Sequence, residues 1–137
     1  TPMRRCKKYY LQGKRKGTVD KFIDDLPGMP DNIRYDGKGH YWIALAMAQT
    51  LSWDLAQRCP FKRKGLAIME RYIGRRPQEE KNGGFLVVDE KGRAILHYYD
   101  PGLSLVSSGV EIGNHLYCGS IAYPYIIRFN LTQYPNI

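Results

Sequence analysis

Asp31 and Asn32 stand side by side just ahead of a short predicted strand, a glycine-rich turn at Asp36-Gly37-Lys38-Gly39 and a second strand beginning at His40. A carboxylate beside a side-chain amide is a metal-style ligand pair, placed here at the mouth of a hairpin. The same two residue types bond their own backbone readily, so the pair also reads as a turn device. His40 and His115 follow equivalent turns, which points to structural capping of a sheet edge, and His97 falls in an outer strand at the surface. Cys118, on a predicted inner strand, suits a small core position. Ser107-Ser108 lacks the G-x-S-x-G frame of a nucleophile elbow. Cys6, Cys59 and Cys118 are isolated, with neither a C-x-x-C pair nor zinc spacing, so no disulfide framework or structural zinc is indicated.

The elements that must position these residues repeat. Aligning His40 with His115 pairs Gly39-His40-Tyr41-Trp42 with Asn114-His115-Leu116-Tyr117, and at offsets of 75 to 76 Gly17 pairs with Gly92 and Asp24 with Asp100. That spacing exceeds the roughly 40 to 50 residues of a four-stranded propeller blade. The stretch from Thr50 to Gly84 has no counterpart in the second copy and accounts for most of the excess. Blade-sized units remain without it.

At 137 residues, 43% apolar and 12% aromatic, the chain has the makings of a core, and disorder is not expected. Eleven tyrosines and runs such as Phe85-Leu86-Val87-Val88 favour strands, because aromatic and β-branched side chains fit a pleated surface. The net charge of +8 is concentrated in Arg4, Arg5, Lys7 and Lys8, in Lys14, Arg15 and Lys16, and in Lys62, Arg63 and Lys64. Such clusters form either a solvated surface or a face for an anionic partner. No helix-turn-helix, zinc-finger or RNP motif accompanies them, so nucleic acid is not an expected partner. Asn130-Leu131-Thr132 is an N-glycosylation sequon, which matters if the chain enters the secretory route. No apolar run of about 18 residues and no signal peptide is present, and the start at Thr1-Pro2 reads as though cut from something longer.

About nine strands are predicted: 5–12, 18–24, 32–35, 40–47, 85–89, 94–99, 106–112, 115–121 and 125–131. A basic amphipathic helical insertion, about 52–74, interrupts them, with Ser52 as a cap, a break at Pro60, and Phe61, Gly65, Ile68, Met69, Tyr72 and Ile73 at helical spacing. It reads either as a cover or membrane-facing element, or as a helix packed on a rim. In a meandering four-stranded blade the connections alternate between two faces, so Asp31-Asn32 and the insertion should share one rim near a central channel.

Pro30-Asp31-Asn32-Ile33-Arg34-Tyr35-Asp36-Gly37, Gly39-His40-Tyr41-Trp42-Ile43-Ala44 and Gly113-Asn114-His115-Leu116-Tyr117-Cys118-Gly119-Ser120 resemble the plant strictosidine synthase-like proteins, in the branch that also looks like adipocyte plasma membrane-associated protein. The resemblance covers essentially the whole chain. It implies an all-β fold, part of a six-bladed β-propeller of about two blades plus flanking strands, with residues 1–137 forming the C-terminal half. It also implies that the chain alone would leave raw sheet edges. In metal-dependent relatives of that family the position of Asp31 and Asn32 supplies Ca²⁺ ligands or a catalytic carboxylate. By the same resemblance Ser107 occupies the position of the glutamate that strictosidine synthase uses as acid and base. A serine hydroxyl does not shuttle protons near neutral pH without a neighbouring base. Glu111 lies roughly 13 Å farther along the strand at about 3.3 Å per residue. Strictosidine formation is therefore not expected. The implied activity is Ca²⁺-dependent hydrolysis of a small-molecule ester or lactone, with Asp31 catalytic, in the secretory pathway (endoplasmic reticulum, vacuole or outside the cell). The rival is a non-catalytic propeller scaffold that binds a protein or an anionic membrane surface through its rim and basic insertion.

Overall fold

Trp42-Ile43-Ala44-Leu45 and Phe85-Leu86-Val87-Val88 show no polar alternation, so strands built from them must be covered on both faces. The computed structural model, which describes residues 3–48, 59–73 and 81–133, provides that cover. The described strands are β1 (Cys6–Tyr9), β2 (Val19–Ile23), β3 (Gly28–Tyr35), β4 (His40–Ala48), β5 (Lys81–Asp89), β6 (Ala94–Ser104), β7 (Val106–Ile112), β8 (His115–Ser120) and β9 (Ile127–Asn130). A helix α1 (Pro60–Ile73) lies between β4 and β5, and a short 3-10 turn (Leu131–Gln133) follows β9. They form three antiparallel meanders: β1-β2, β3-β4-β5-β6 and β7-β8-β9. The chain is thus mostly antiparallel sheet with one described α-helix, and among the described residues no sheet closes on itself.

The middle sheet is the filling between the other two. Trp42, Ala44, Phe85 and Val87 pack on one face with Val106, Leu116 and Cys118 of the third sheet. Ile43, Leu45, Leu86 and Val88 pack on the other with Leu26 and with Cys6, Phe22 and Ile23 of the first. Each fully buried aliphatic or aromatic side chain contributes about 1.5–3 kcal/mol, so these two layers dominate cohesion between the sheets. Close approach of β5 and β7 needs bare backbone on both: a Cβ on Gly109 of β7 would stand 2.4 Å from Cε1 of Phe85, and one on Gly83 of β5 would stand 2.9 Å from Cγ2 of Val106.

Two hairpin turns share one device. The Asp36 carboxylate accepts from the N–H groups of Lys38 (2.6 Å) and His40 (3.0 Å), while its second oxygen meets Nδ1 of the His40 ring at 2.9 Å. Gly37 and Gly39 supply the positive φ this turn requires. Asp89 repeats the arrangement, accepting from the N–H groups of Lys91 and Arg93 and from Arg93 Nε at 2.6 Å. Burial pushes the Asp36 carboxyl up, yet the bonds from Lys38 and His40 outweigh it and hold it below the usual carboxylate range. The Arg93 N–H is the main cause of the same lowering at Asp89. His40 is therefore a turn clamp, in line with its expected structural role.

Sequence and structure part at several strand bounds: β1 ends at Tyr9 rather than at 12, β5 begins at Lys81 rather than at 85, and β6 runs on to Ser104 rather than ending at 99. Strand β3 begins at Gly28 rather than Asn32, with Pro30 inside it; proline is tolerated there because β3 is an edge strand, bonded in its sheet to β4 alone. Pro60 opens α1, where proline suits the first helical position, and the segment predicted ahead of that break lies outside the described residues. The proposed Ser52 cap and the rest of 49–58, like Gly74, lie outside the described residues. Every described side chain of α1 is exposed, Phe61 at 83% and Tyr72 at 80%, so these residues do not brace the rim of the described sheets.

Candidate functional site

Asp31 and Asn32 lie in a β-bulge. On β3 the register runs from Pro30 to Ile33 while on β4 it runs only from Leu45 to Ile43, so one extra residue is accommodated between them. A bulge bends its strand and re-aims side chains. Both residues are exposed, and they sit within the strand rather than on the loop entering it.

The amide nitrogen of Asn32 donates to the backbone carbonyl of Ser107 on β7 at 2.8 Å, and more weakly to Asp31 Oδ2 at 3.4 Å. Ser107 is half-buried at a second register shift, between Val106 and Ser108. The two positions are 75 residues apart, the offset that relates His40 to His115. Equivalent bulges on the first strands of successive sheets thus meet and bond. The three residues singled out for chemistry come together here, although only Asp31 and Asn32 had been paired by sequence. The repeat offset is the signal that could have linked Ser107 to them.

Glu111 faces elsewhere. Its carboxylate pairs with Lys38 Nζ at 3.1 Å, at the hairpin-turn end of the two sheets. This pair, with Asp36, His40, Trp42 and Tyr98, lines a cleft of about 240 Å³ that sequence reasoning missed. The Trp42 and Tyr98 rings stack in it, with centroids 5.6 Å apart. A cross-sheet ion pair depends on how β3–β4 docks against β7, which no local pattern specifies. His115 begins β8 beside Tyr117, and the preceding Gly113-Asn114 offers no acid to clamp its ring. His97 is exposed on β6. Cys118 is fully buried, and burial pushes its thiol up to about 12, which leaves it inert as a nucleophile.

As a donor set, Asp31 and Asn32 offer a carboxylate and an amide carbonyl oxygen, both hard ligands that fit Ca²⁺ as two of its six to eight. The amide nitrogen is the end engaged by Ser107, so the amide oxygen remains available. Among the described residues no group of three or more His, Cys, Asp or Glu could hold a metal ion. The pair can therefore form part of such a site and not the whole.

Stacked antiparallel meanders, two of them bonded through their first strands, are consistent with a propeller fragment. The sequence carries the identification further. No family model matches the chain. Strictosidine synthase-like 6 of Arabidopsis thaliana is 50% identical over 135 residues, covering 98% of this chain and 35% of that protein. Strictosidine synthase-like 4 of the same plant is 49% identical with the same coverage. Adipocyte plasma membrane-associated protein of Gallus gallus is 32% identical over 141 residues, 96% of this chain and 33% of that protein. The chain belongs with the strictosidine synthase-like proteins, on the side that also resembles adipocyte plasma membrane-associated protein. It spans about a third of the length of these relatives, less than the half that the resemblance had implied.

Proposed function

We propose that this chain forms part of a six-bladed propeller in which Asp31 and Asn32 contribute to a Ca²⁺ site used to hydrolyse a small-molecule ester or lactone. The observation that supports this reading is the bond from Asn32 to the Ser107 carbonyl, which ties an exposed acid and amide to the junction between successive first strands. When bound, the cation would supply Lewis-acid polarisation of a substrate carbonyl. The contribution of the chain is to hold and orient. Ser107 fixes the Asn32 side chain, and the bulge keeps Asp31 at the free edge of β3. With serine at position 107 and Glu111 paired with Lys38, the position that carries the glutamate of strictosidine synthase has no carboxylate of its own, so the reading does not include strictosidine condensation. The proposed setting is the secretory pathway.

The test is phenyl acetate hydrolysis by the protein with Ca²⁺ and after chelation. Asp31→Ala should lower the Ca²⁺-dependent rate at least tenfold, since even outer-shell partners of a metal site are worth about 10–100-fold. Activity that survives both chelation and this substitution removes the metal mechanism. A second reading has its own observation: Phe61, Ile68 and Tyr72 stand exposed on α1 together with Lys62, Lys64 and Arg71. A basic helix with unburied apolar side chains suits a non-catalytic scaffold on an anionic membrane surface. Among the described residues no helix is long and apolar enough to cross a membrane. Salt-sensitive vesicle binding that disappears on neutralising Lys62, Arg63 and Lys64, without esterase activity, would favour it.

A further inference from the structure

We propose that Asn130 is an acceptor for an N-linked glycan. The sequon Asn130-Leu131-Thr132 has no proline at either restrictive position, being followed by Gln133. Such tripeptides occur by chance, and what distinguishes this one is its conformation. Asn130 ends β9 and Thr132 lies in the 3-10 turn that follows. The Thr132 hydroxyl donates to Asn130 Oδ1 at 2.7 Å, and the Thr132 backbone N–H donates to the same oxygen at 3.1 Å. The carboxamide oxygen is thereby engaged by the hydroxyl that defines the sequon, and the amide nitrogen carries no hydrogen bond among the described residues. Leu131 between them packs against the apolar core, and its N–H donates to the Asn114 carbonyl at 2.9 Å, which pins the turn. Thr132 is exposed and Asn130 half-buried.

Placement makes the modification compatible with the proposed site. Asn130 pairs with His115, beside the β7–β8 turn, whereas Ser107 lies at the other end of the same sheet, where Val106 pairs with Ser120. A glycan on Asn130 would project from the rim of hairpin turns, away from Asp31 and Asn32. In the transfer, Asn130 Nδ2 forms a bond to the anomeric carbon of a lipid-pyrophosphate-linked oligosaccharide. The carbon–oxygen bond to pyrophosphate breaks, the lipid pyrophosphate leaves with its electron pair, and Nδ2 gives up one proton; nothing is oxidised or reduced.

The inference rests on the secretory reading above, and the experiment separates the two. The protein is expressed in eukaryotic cells and assayed for protease protection inside microsomes and for the mobility shift on enzymatic glycan removal. Protection, with a shift that shrinks by one glycan in Asn130→Gln and in Thr132→Ala but persists in Thr132→Ser, is the expected result. A protected protein whose shift is the same in Asn130→Gln as in the wild type overturns the assignment alone. A protein digested without detergent overturns the secretory reading and this assignment with it.

Discussion

Gly109→Ala is the substitution whose effect the packing fixes most sharply. Its methyl carbon would stand 2.4 Å from Phe85 Cε1 and 2.8 Å from Cζ, where carbon atoms normally rest about 3.5–4.0 Å apart. Either the ring or β7 must retreat by about 1 Å, and neither is free to do so: Phe85 is 1% exposed and packs edge-on to Trp42 with centroids 6.4 Å apart. Overpacking of this kind costs about 1–3 kcal/mol. The backbone at Gly109 lies outside the positive-φ region, so the substitution also restricts the unfolded chain, a stabilising effect of about 0.4–1 kcal/mol. Phe85→Leu removes the two carbons that collide. Gly109→Ala should therefore destabilise the otherwise wild-type protein by about 1–2 kcal/mol, and be neutral or slightly stabilising when Phe85→Leu is already in place. Urea unfolding of the four proteins, followed by tryptophan fluorescence, measures the difference. Costs that agree in both backgrounds within about 0.5 kcal/mol would mean that the two residues do not touch and that the docking of β7 on the middle sheet is wrong.

Asn32→Asp removes the donor to the Ser107 carbonyl while adding a second carboxylate beside Asp31. Thermal melts in chelator should show a loss of about 0.5–1.5 kcal/mol, one hydrogen bond, with Ca²⁺ raising the melting temperature of the variant more than that of Asn32→Ala. Equal responses of the two variants to Ca²⁺ would count against a cation at this junction. Asp36 gives a pH signature. Its folded carboxyl lies below an unfolded value near about 3.9, so its stabilising effect is complete above about pH 4 and is lost as pH falls through the folded value. Acid unfolding of Asp36→Asn should lack that part of the slope, and a slope identical to wild type would discount the clamp.

What could be read from the sequence follows what was local. The strand runs 42–45 and 85–88 announce their two-sided burial because neither alternates, and the glycine-rich turns announce their hairpins. The turn acids Asp36 and Asp89 were just as legible, since both precede a lysine by two residues and a cation-capable side chain by four, yet only the first turn stood out as glycine-rich. The β3 bulge was hidden for a different reason. A bulge exists only relative to the partner strand, and Pro30 read alone marks a boundary rather than an edge strand. The ion pair of Lys38 with Glu111 was hidden likewise, because 73 residues separate its members and sheet docking alone unites them.

The repeat shows where fold stops dictating residue type. Positions 75 apart that serve packing or turns keep their character: His40 and His115, Trp42 and Tyr117, Ala44 and Gly119. Asn32 and Ser107 share that offset and even bond to each other, yet one bears a carboxamide and the other a hydroxyl. The bond between them uses the Asn32 side chain but only the backbone of Ser107, so the architecture constrains residue 32 and leaves the side chain of residue 107 open to whatever chemistry the junction serves. A carboxylate there could move protons, and serine cannot without a base. If the junction is catalytic, its power must therefore come from the Asp31 side of the bulge, and Ser107→Glu should perturb the rate far more than the stability.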